Sequence, residues 1–363
     1  MEVEHSNEVG CAVVLKAMTV TGLIDADDLG ITLPHEHVII DLSFLHQESP
    51  IAGIANLPVK AVDRKILCVN PTVSKDNLML QDDDLAVREL SAFKELGGSS
   101  VVDLTLPGLG RKPDVLKRIS KRSGLNILCG TGWNAESTQP EFVRKENIDS
   151  LAKTICSELT TGIEGTSIRA GVIGEIGVTG PITESEERVL RAAGRAQQMT
   201  GAAIVIDALP LQQVKYAFKA LDLLKDEGSD LGRVVVAHCD FDDGLDKAYV
   251  ESLLDRGAYV ELDGFGTERP DYSEWLGGNS KLMLPTDGER VELVREVTEI
   301  GYARRILLSH DTCMKYEYAT YGGAGYGHIL RKIVPALQDA GLDEQEIRSM
   351  LIDNPKYLLA YLR

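Results

Sequence analysis

Eight short runs of β-branched and apolar residues punctuate this chain: Ile31–Ile40, Ser100–Leu106, Leu125–Gly130, Ala170–Ile176, Ala202–Asp207, Arg233–His238, Ala258–Leu262 and Arg305–Asp311. Each of the last seven follows a longer amphipathic stretch. Strand-length runs that alternate with helix-length patterns predict parallel strands joined by helical crossovers, and eight such units close into a TIM (β/α)8 barrel. Local punctuation agrees. Thr183-x-x-Glu186 reads as a capping box and Gly201 as the stop of the same helix, while Asn354-Pro355 reads as the start of the terminal helix. A long loop after the first strand, Leu42 to about Gln81 with Pro50, Pro58 and Pro71, precedes the first clear helix at Asp83–Leu96. Loops this long at the C-terminal end of a strand commonly shape an active site.

The 363 residues hold 44% hydrophobic and 26% charged residues, as expected of a globular chain, with no linker or internal repeat beyond the β/α alternation. One domain over 18–363 is therefore expected, its first strand-like run being Met18–Ile24, with 1–17 as an N-terminal extension. A formal charge of -18 repels phosphate backbones and anionic membrane surfaces, so neither nucleic acid nor membrane is an expected partner. No apolar run approaches the roughly 20 residues that span a bilayer. Six scattered cysteines (Cys11, Cys68, Cys129, Cys156, Cys239, Cys313) form no C-x-x-C pair, and the acids Glu2, Glu4 and Glu8 are unlike a secretory signal. A reducing, cytoplasmic location follows as an expectation.

Chemistry concentrates at the ends of the strand-like runs. In Pro34-His35-Glu36-His37 the two imidazoles sit at i and i+2, which an extended strand points the same way, the spacing one metal ion needs. A lone His-x-His is also an ordinary pair of surface histidines. Three further runs end on metal-capable groups: Glu175 on the fourth, His238 on the sixth and Asp311 on the eighth. A barrel brings the C-terminal ends of all its strands to one rim, so these residues are expected to converge there. Glu175 is placed to bridge two ions with its two oxygens; the alternative is a helix cap or an arginine partner. Asp311 is expected to ligate one metal and accept the proton of an attacking water, with His310 facing the other way. Two divalent ions roughly 3.5 to 4 Å apart would share a hydroxide and polarise a substrate carbonyl or phosphoryl oxygen.

Taken together, the segment Gly30–Asp41, the run Gly165–Gly177, Thr183-Glu184-Ser185-Glu186, Val235–His238, Phe265-Gly266-Thr267-Glu268 and Tyr321–His328 resemble the phosphotriesterase-related proteins, in the phosphotriesterase branch of the amidohydrolase superfamily. The resemblance runs from about Met18 to Arg363. It implies an amidohydrolase-like barrel, a binuclear metal centre, usually zinc, and hydrolysis of amides or esters rather than efficient phosphotriester cleavage. Some members bridge the metals with a carboxylated lysine on the fourth strand; Glu175 stands there in this chain, as in the phosphotriesterase-related subgroup. Where the family's fifth strand normally ends in a metal-binding histidine, this chain has Asp207. A carboxylate there shifts preference toward harder ions such as manganese or magnesium. Members are often homodimers.

The expected function is metal-dependent hydrolysis of a small amide, ester or lactone by a metal-bound hydroxide. The ligands are His35, His37, Glu175, His238, Asp311 and Asp207, with Asp311 as the catalytic proton acceptor. Trp133 after the third strand, and Phe265, Gly266 and Thr267 in the loop to Arg269, are expected to wall the substrate pocket, with rim packing as the alternative. Tyr321 and Tyr326 read as a structural rim turn. If Asp207 leaves the second site weak, the barrel would instead be a lyase, a cyclase or a ligand-binding protein.

Overall fold

The computed structural model describes residues 15–208, 213–241, 246–267 and 284–362. Residues 1–14 of the expected extension, Cys11, Glu268 and Arg269 lie outside them. A hairpin of β1 (Lys16–Thr19) and β2 (Gly22–Asp25) opens the described chain where a single strand from Met18 to Ile24 was expected. The reversal comes from Thr19, whose Oγ1 accepts the Thr21 N–H at 3.2 Å and donates to the Gly22 carbonyl at 2.8 Å. Gly22 takes φ 128°, a conformation a side chain would oppose. The first barrel strand is β3 (Thr32–Glu36); β4 (Ile40–Asp41) and β5 (Met79–Leu80) pair antiparallel within the long loop.

Seven more parallel strands follow: β6 (Ser100–Asp103), β7 (Asn126–Thr131), β8 (Val172–Val178), β9 (Ile204–Ala208), β10 (Val234–Val236), β11 (Tyr259–Leu262) and β12 (Ile306–Leu308). They neighbour one another in chain order from β3 to β12. The seam between the two end strands closes just beyond them. His37 N–H donates to Thr312 O at 3.3 Å, Asp311 N–H donates to His35 O at 3.2 Å, and Ser309 Oγ donates to His35 O at 2.7 Å. Glu36, between the two histidines of the motif, is fully buried and strengthens this seam. Its Oε1 meets His310 Nδ1 at 2.7 Å and its Oε2 accepts the Thr312 N–H at 3.0 Å. This is the eight-stranded α/β barrel that the alternation predicts.

Period-two alternation builds two cores. Val102, Leu128, Val172, Val205, Val235 and Leu307 pack inside the barrel, while Val101, Ile127, Ile173, Ile204, Val236 and Ile306 belong to the larger core under the helices. The barrel's N-terminal end is stopped by the hairpin and by β13 (Ala360–Leu362), which pairs with β1. Ala17 and Ala360 are buried there. All seven expected crossover helices form: α2 (Asp83–Glu95), α3 (Pro113–Ser123), α4 (Ile148–Thr160), α5 (Glu184–Thr200), α6 (Gln213–Asp226), α7 (Lys247–Asp255) and α8 (Asp287–Glu299), with the short α1 (Arg64–Val69) inside the long loop. Thr183 and Glu186 make the expected capping box on α5, and Gly201 ends it at φ 77°.

The last α-helical segment begins at Asn354 with Pro355 in its first turn, as expected, but Asn354 does not cap it. The chain is already helical from Glu344, capped by Asp343 with Glu346, and Asn354 is buried with its amide donating to Ala303 O at 3.0 Å and Ile306 O at 2.8 Å. Tertiary partners took the side chain that a local reading assigns to a cap. Among the described residues no helix is long and apolar enough to cross a membrane.

Candidate metal centre

The C-terminal ends of the strands carry a buried cluster of imidazoles and carboxylates. His35 and His37 leave β3 with ring centroids 5.8 Å apart. Glu175, on β8, reaches between them and the sixth strand: its Oε1 lies 3.2 Å from His35 Nε2 and 3.2 Å from His238 Nε2, and its Oε2 lies 3.8 Å from His37 Nε2. Asp311 Oδ1 stands 3.3 Å from His37 Nε2 and 3.8 Å from His35 Nε2. Asp207, at the end of β9, places Oδ1 3.3 Å from His238 Nε2, while Asn134 donates to its other oxygen at 3.0 Å. Donor atoms of His35, His37 and Asp311 lie within 4.8 Å of one another, as do those of Glu175, Asp207 and His238. His238 and Asp311 take left-handed φ values of 58° and 49°, uncommon for residues with a side chain. All six sequence-predicted ligands meet at this point.

The outer edges of the three rings are already occupied. His35 Nδ1 lies 3.0 Å from Glu261 Oε2 and 3.3 Å from Asp263 Oδ2, His238 Nδ1 lies 2.9 Å from Asp263 Oδ1, and His37 Nδ1 lies 2.9 Å from Thr105 Oγ1. Both nitrogens of His35 and of His238 face acceptor-only carboxylates; with the ring neutral and the proton on Nδ1, where the shorter contacts lie, Nε2 is left with a lone pair. Their Nε2 lone pairs then converge on carboxylate oxygens. Lone pair against lone pair is repulsive unless a cation lies between. Among the described residues, His35 Nε2 and Asp207 Oδ1 are buried with no hydrogen-bond partner, the signature of a donor set short of one positive centre.

Charge tells the same story. Burial works against a protonated His35, yet the facing Glu175 and Asp263 lift its proton affinity well above the usual imidazole range. His238 behaves alike through Asp263, Asp207 and Glu175. Glu175 stays ionised far below the usual carboxylate range because His35 and His238 outweigh its burial. Burial and the neighbouring Glu175 push Asp207 upward. The cluster demands buried positive charge, which a metal ion supplies without protonating its ligands.

The family model that matches residues 15–359 is that of the phosphotriesterase family. The chain belongs to that family. An N-acetyltaurine hydrolase of Tetraodon nigroviridis is 34% identical over 352 residues, covering 95% of this chain and 98% of the relative. Among solved structures, a resiniferatoxin-binding protein from Rhodobacter sphaeroides has a TM-score of 0.88 at 34% identity, covering 95% of this chain and 94% of its own. The phosphotriesterase homology protein from Escherichia coli gives 0.74 at 28%, covering 92% and 99%. This phosphotriesterase-family barrel is a hydrolase.

Four residues around its centre went unremarked in the sequence reading: Glu261, Asp263, Thr105 and Asn134. Glu261 and Asp263 carried a signal. In Tyr259-Val260-Glu261-Leu262-Asp263 two acids alternate with apolar residues in a strand whose neighbours are apolar on both faces, so period two sends both acids into the barrel. His310 faces away from the cluster, as expected, between Glu36 and the N–H of Ile329. Trp133 and Phe265 are buried, with Trp133 edge-on to Phe142 at 5.9 Å. Gly266 and Thr267 line a cavity of about 240 Å³ on the same rim.

Proposed function

We propose that the chain hydrolyses a small amide, ester or lactone with the help of two divalent metal ions held by His35, His37, Asp311 and Glu175 on one side and by Glu175, Asp207 and His238 on the other. The observation that carries the reading is the carboxylate of Glu175, one oxygen shared between His35 and His238 and the other turned to His37. Bound there, the ions would lower the pKa of water and polarise a carbonyl. The protein's own part is orientation and proton handling. Glu261, Asp263 and Thr105 hold the rings with Nε2 inward. Asp311, with 17% of its side chain exposed against 0–7% for the others, is the carboxylate open to the rim and so the proton acceptor.

Two imidazoles with two carboxylates suit zinc, whereas one imidazole with two carboxylates suits a harder ion such as manganese. Similarity to an N-acetyltaurine hydrolase across 95% of the chain supports an amide substrate, specifically a short acyl amide with an anionic end. A single domain over 18–363 with the extension 1–17, pocket contacts from Trp133, Phe265, Gly266 and Thr267, a cytoplasmic location, no nucleic-acid or membrane partner and a homodimeric state complete the reading. Light scattering checks the last. A second reading, a ligand-binding barrel with a degenerate second site, is favoured by Asp207 and by the similar structure named for binding resiniferatoxin.

Elemental analysis of protein purified without chelators separates the two. Two metals per chain with amide turnover, lost on His35→Ala or Asp311→Asn while circular dichroism stays native, is the expected outcome. One metal or none, rising to two in Asp207→His, favours the ligand-binding reading, and wild-type turnover in either single variant defeats the hydrolytic one.

A further inference from the structure

The cavity of about 240 Å³ beside the strand-seven and strand-eight ends is lined by Gly266, Thr267, Tyr316, Glu317, His328 and Arg64, among others. We propose that it is the subsite for the anionic end of the substrate, with the Arg64 guanidinium as its anchor and a sulfonate or carboxylate as its ligand. This rests on the amide-hydrolase reading above.

Position is the first support. Gly266 and Thr267 stand three and four residues beyond Asp263, and Tyr316 and Glu317 five and six beyond Asp311, so the walls are the loops that leave the metal-bearing rim. Arg64 reaches them from α1, inside the long loop after the first strand. Its Nη1 donates to the Tyr316 carbonyl and its guanidinium lies over the Tyr316 ring, 5.4 Å from the centroid. Among the described residues it makes no ion pair. Its remaining N–H groups therefore keep the planar fork that matches the oxygens of a carboxylate or sulfonate.

Two acids share the cavity: Asp287 turns both oxygens into the wall, and Glu317 turns one. Asp287 accepts from Gly266 N–H at 2.9 Å and meets His328 Nε2 at 2.6 Å. Glu317 Oε2 accepts the N–H groups of Cys313 and Met314, each at 2.9 Å. In a chain of net charge -18, an anion needs a local cation that no carboxylate has claimed, and among the described residues lining this cavity Arg64 is the lysine or arginine that meets the requirement. The volume is below the roughly 300 Å³ at which drug-sized ligand sites begin, which fits a head group on a short spacer. His328, the last residue of the glycine-rich Tyr321–His328 run, and the Phe265–Thr267 loop thereby acquire a shared purpose.

The alternative role for Arg64 is a clamp between α1 and the eighth-strand loop, and substrate charge distinguishes the two. Metal-loaded full-length enzyme is assayed with N-acetyltaurine, N-acetyl-β-alanine and the neutral N-propylacetamide, as wild type, Arg64→Gln and Arg64→Lys. Arg64→Gln is expected to lower kcat/KM for the two anions about 10- to 100-fold more than for the neutral amide, mainly through KM, and Arg64→Lys to recover part of the loss. Which anion loses more tells whether sulfonate or carboxylate is the natural head group. Equal losses on all three substrates overturn the proposal, as does an unchanged ratio. Should wild type hydrolyse none of them, calorimetric titration with N-acetyltaurine decides separately. Binding that weakens at least tenfold in Arg64→Gln keeps the anion subsite and defeats amide hydrolysis, and binding indifferent to Arg64, or none, defeats the subsite.

Discussion

Glu261 is buried on β11 with one oxygen 3.0 Å from His35 Nδ1 and the other without a hydrogen-bond partner among the described residues. Its work is directional: it holds the ring so that Nε2 faces Glu175. Carboxylates behind a ligating histidine are worth about 10- to 100-fold in metal affinity. Glu261→Leu should lose that much in competition with a chromophoric chelator, whereas Glu261→Gln, whose carbonyl still accepts the Nδ1–H, should lose only a few-fold. Equal losses in both would point to the charge rather than the hydrogen bond. His35 and His37 could be picked out from the residues alone by their i, i+2 spacing, and Glu175, His238 and Asp311 because they stand at the ends of apolar runs. Thr105 and Asn134 could not. Thr105 Oγ1 meets His37 across 68 positions and Asn134 meets Asp207 across 73, and no local pattern marks a hydroxyl or an amide for such a contact.

Elements are tied by charge on the outside and by hydrogen bonds within. Glu227, just past α6, meets Arg191 at 2.9 Å and Arg195 at 2.8 Å on α5, and these cations hold it below the usual carboxylate range. A depressed folded-state value means that the contribution is present above the unfolded carboxylate range and is lost as pH falls through the folded value. Glu227→Gln should therefore cost about 1 kcal/mol in urea melts at pH 7, with the gap from wild type closing below pH 4. A gap that persisted in acid would show that the ion pairs are not its source. Deeper in, Asn354→Ala should cost about 1–3 kcal/mol, because the carbonyls of Ala303 and Ile306 lose a buried donor. A loss under 0.5 kcal/mol in the same melts would indicate that water replaces the amide.

At the scale of the whole molecule, the barrel is closed at one end by the β1–β2–β13 sheet and left polar at the other, where three imidazoles and their facing carboxylates form groups that could hold a metal ion. Removing metal should therefore lower stability as well as activity. Dialysis against EDTA is expected to reduce Tm by several degrees, since a ligand at 100 times its Kd stabilises by about 2.7 kcal/mol, and added zinc or manganese should restore it. An unchanged Tm would mean that the cluster is stable without the ions. The linear order of apolar runs, helix patterns and terminal acids determined the barrel, its strand order and the set of groups that could meet a metal, because those properties repeat every two or three to four residues and are local. Tertiary structure alone decided what stands behind and beside that set: Glu261 and Asp263 behind the rings, Glu36 as the seam, Asn354 as a brace rather than a cap, and Arg64 over Tyr316. Each joins strands or loops far apart in the chain: alternation can send Glu261 and Asp263 inward, but which ring each one meets depends on closure, and such a pairing leaves no periodic trace in the sequence.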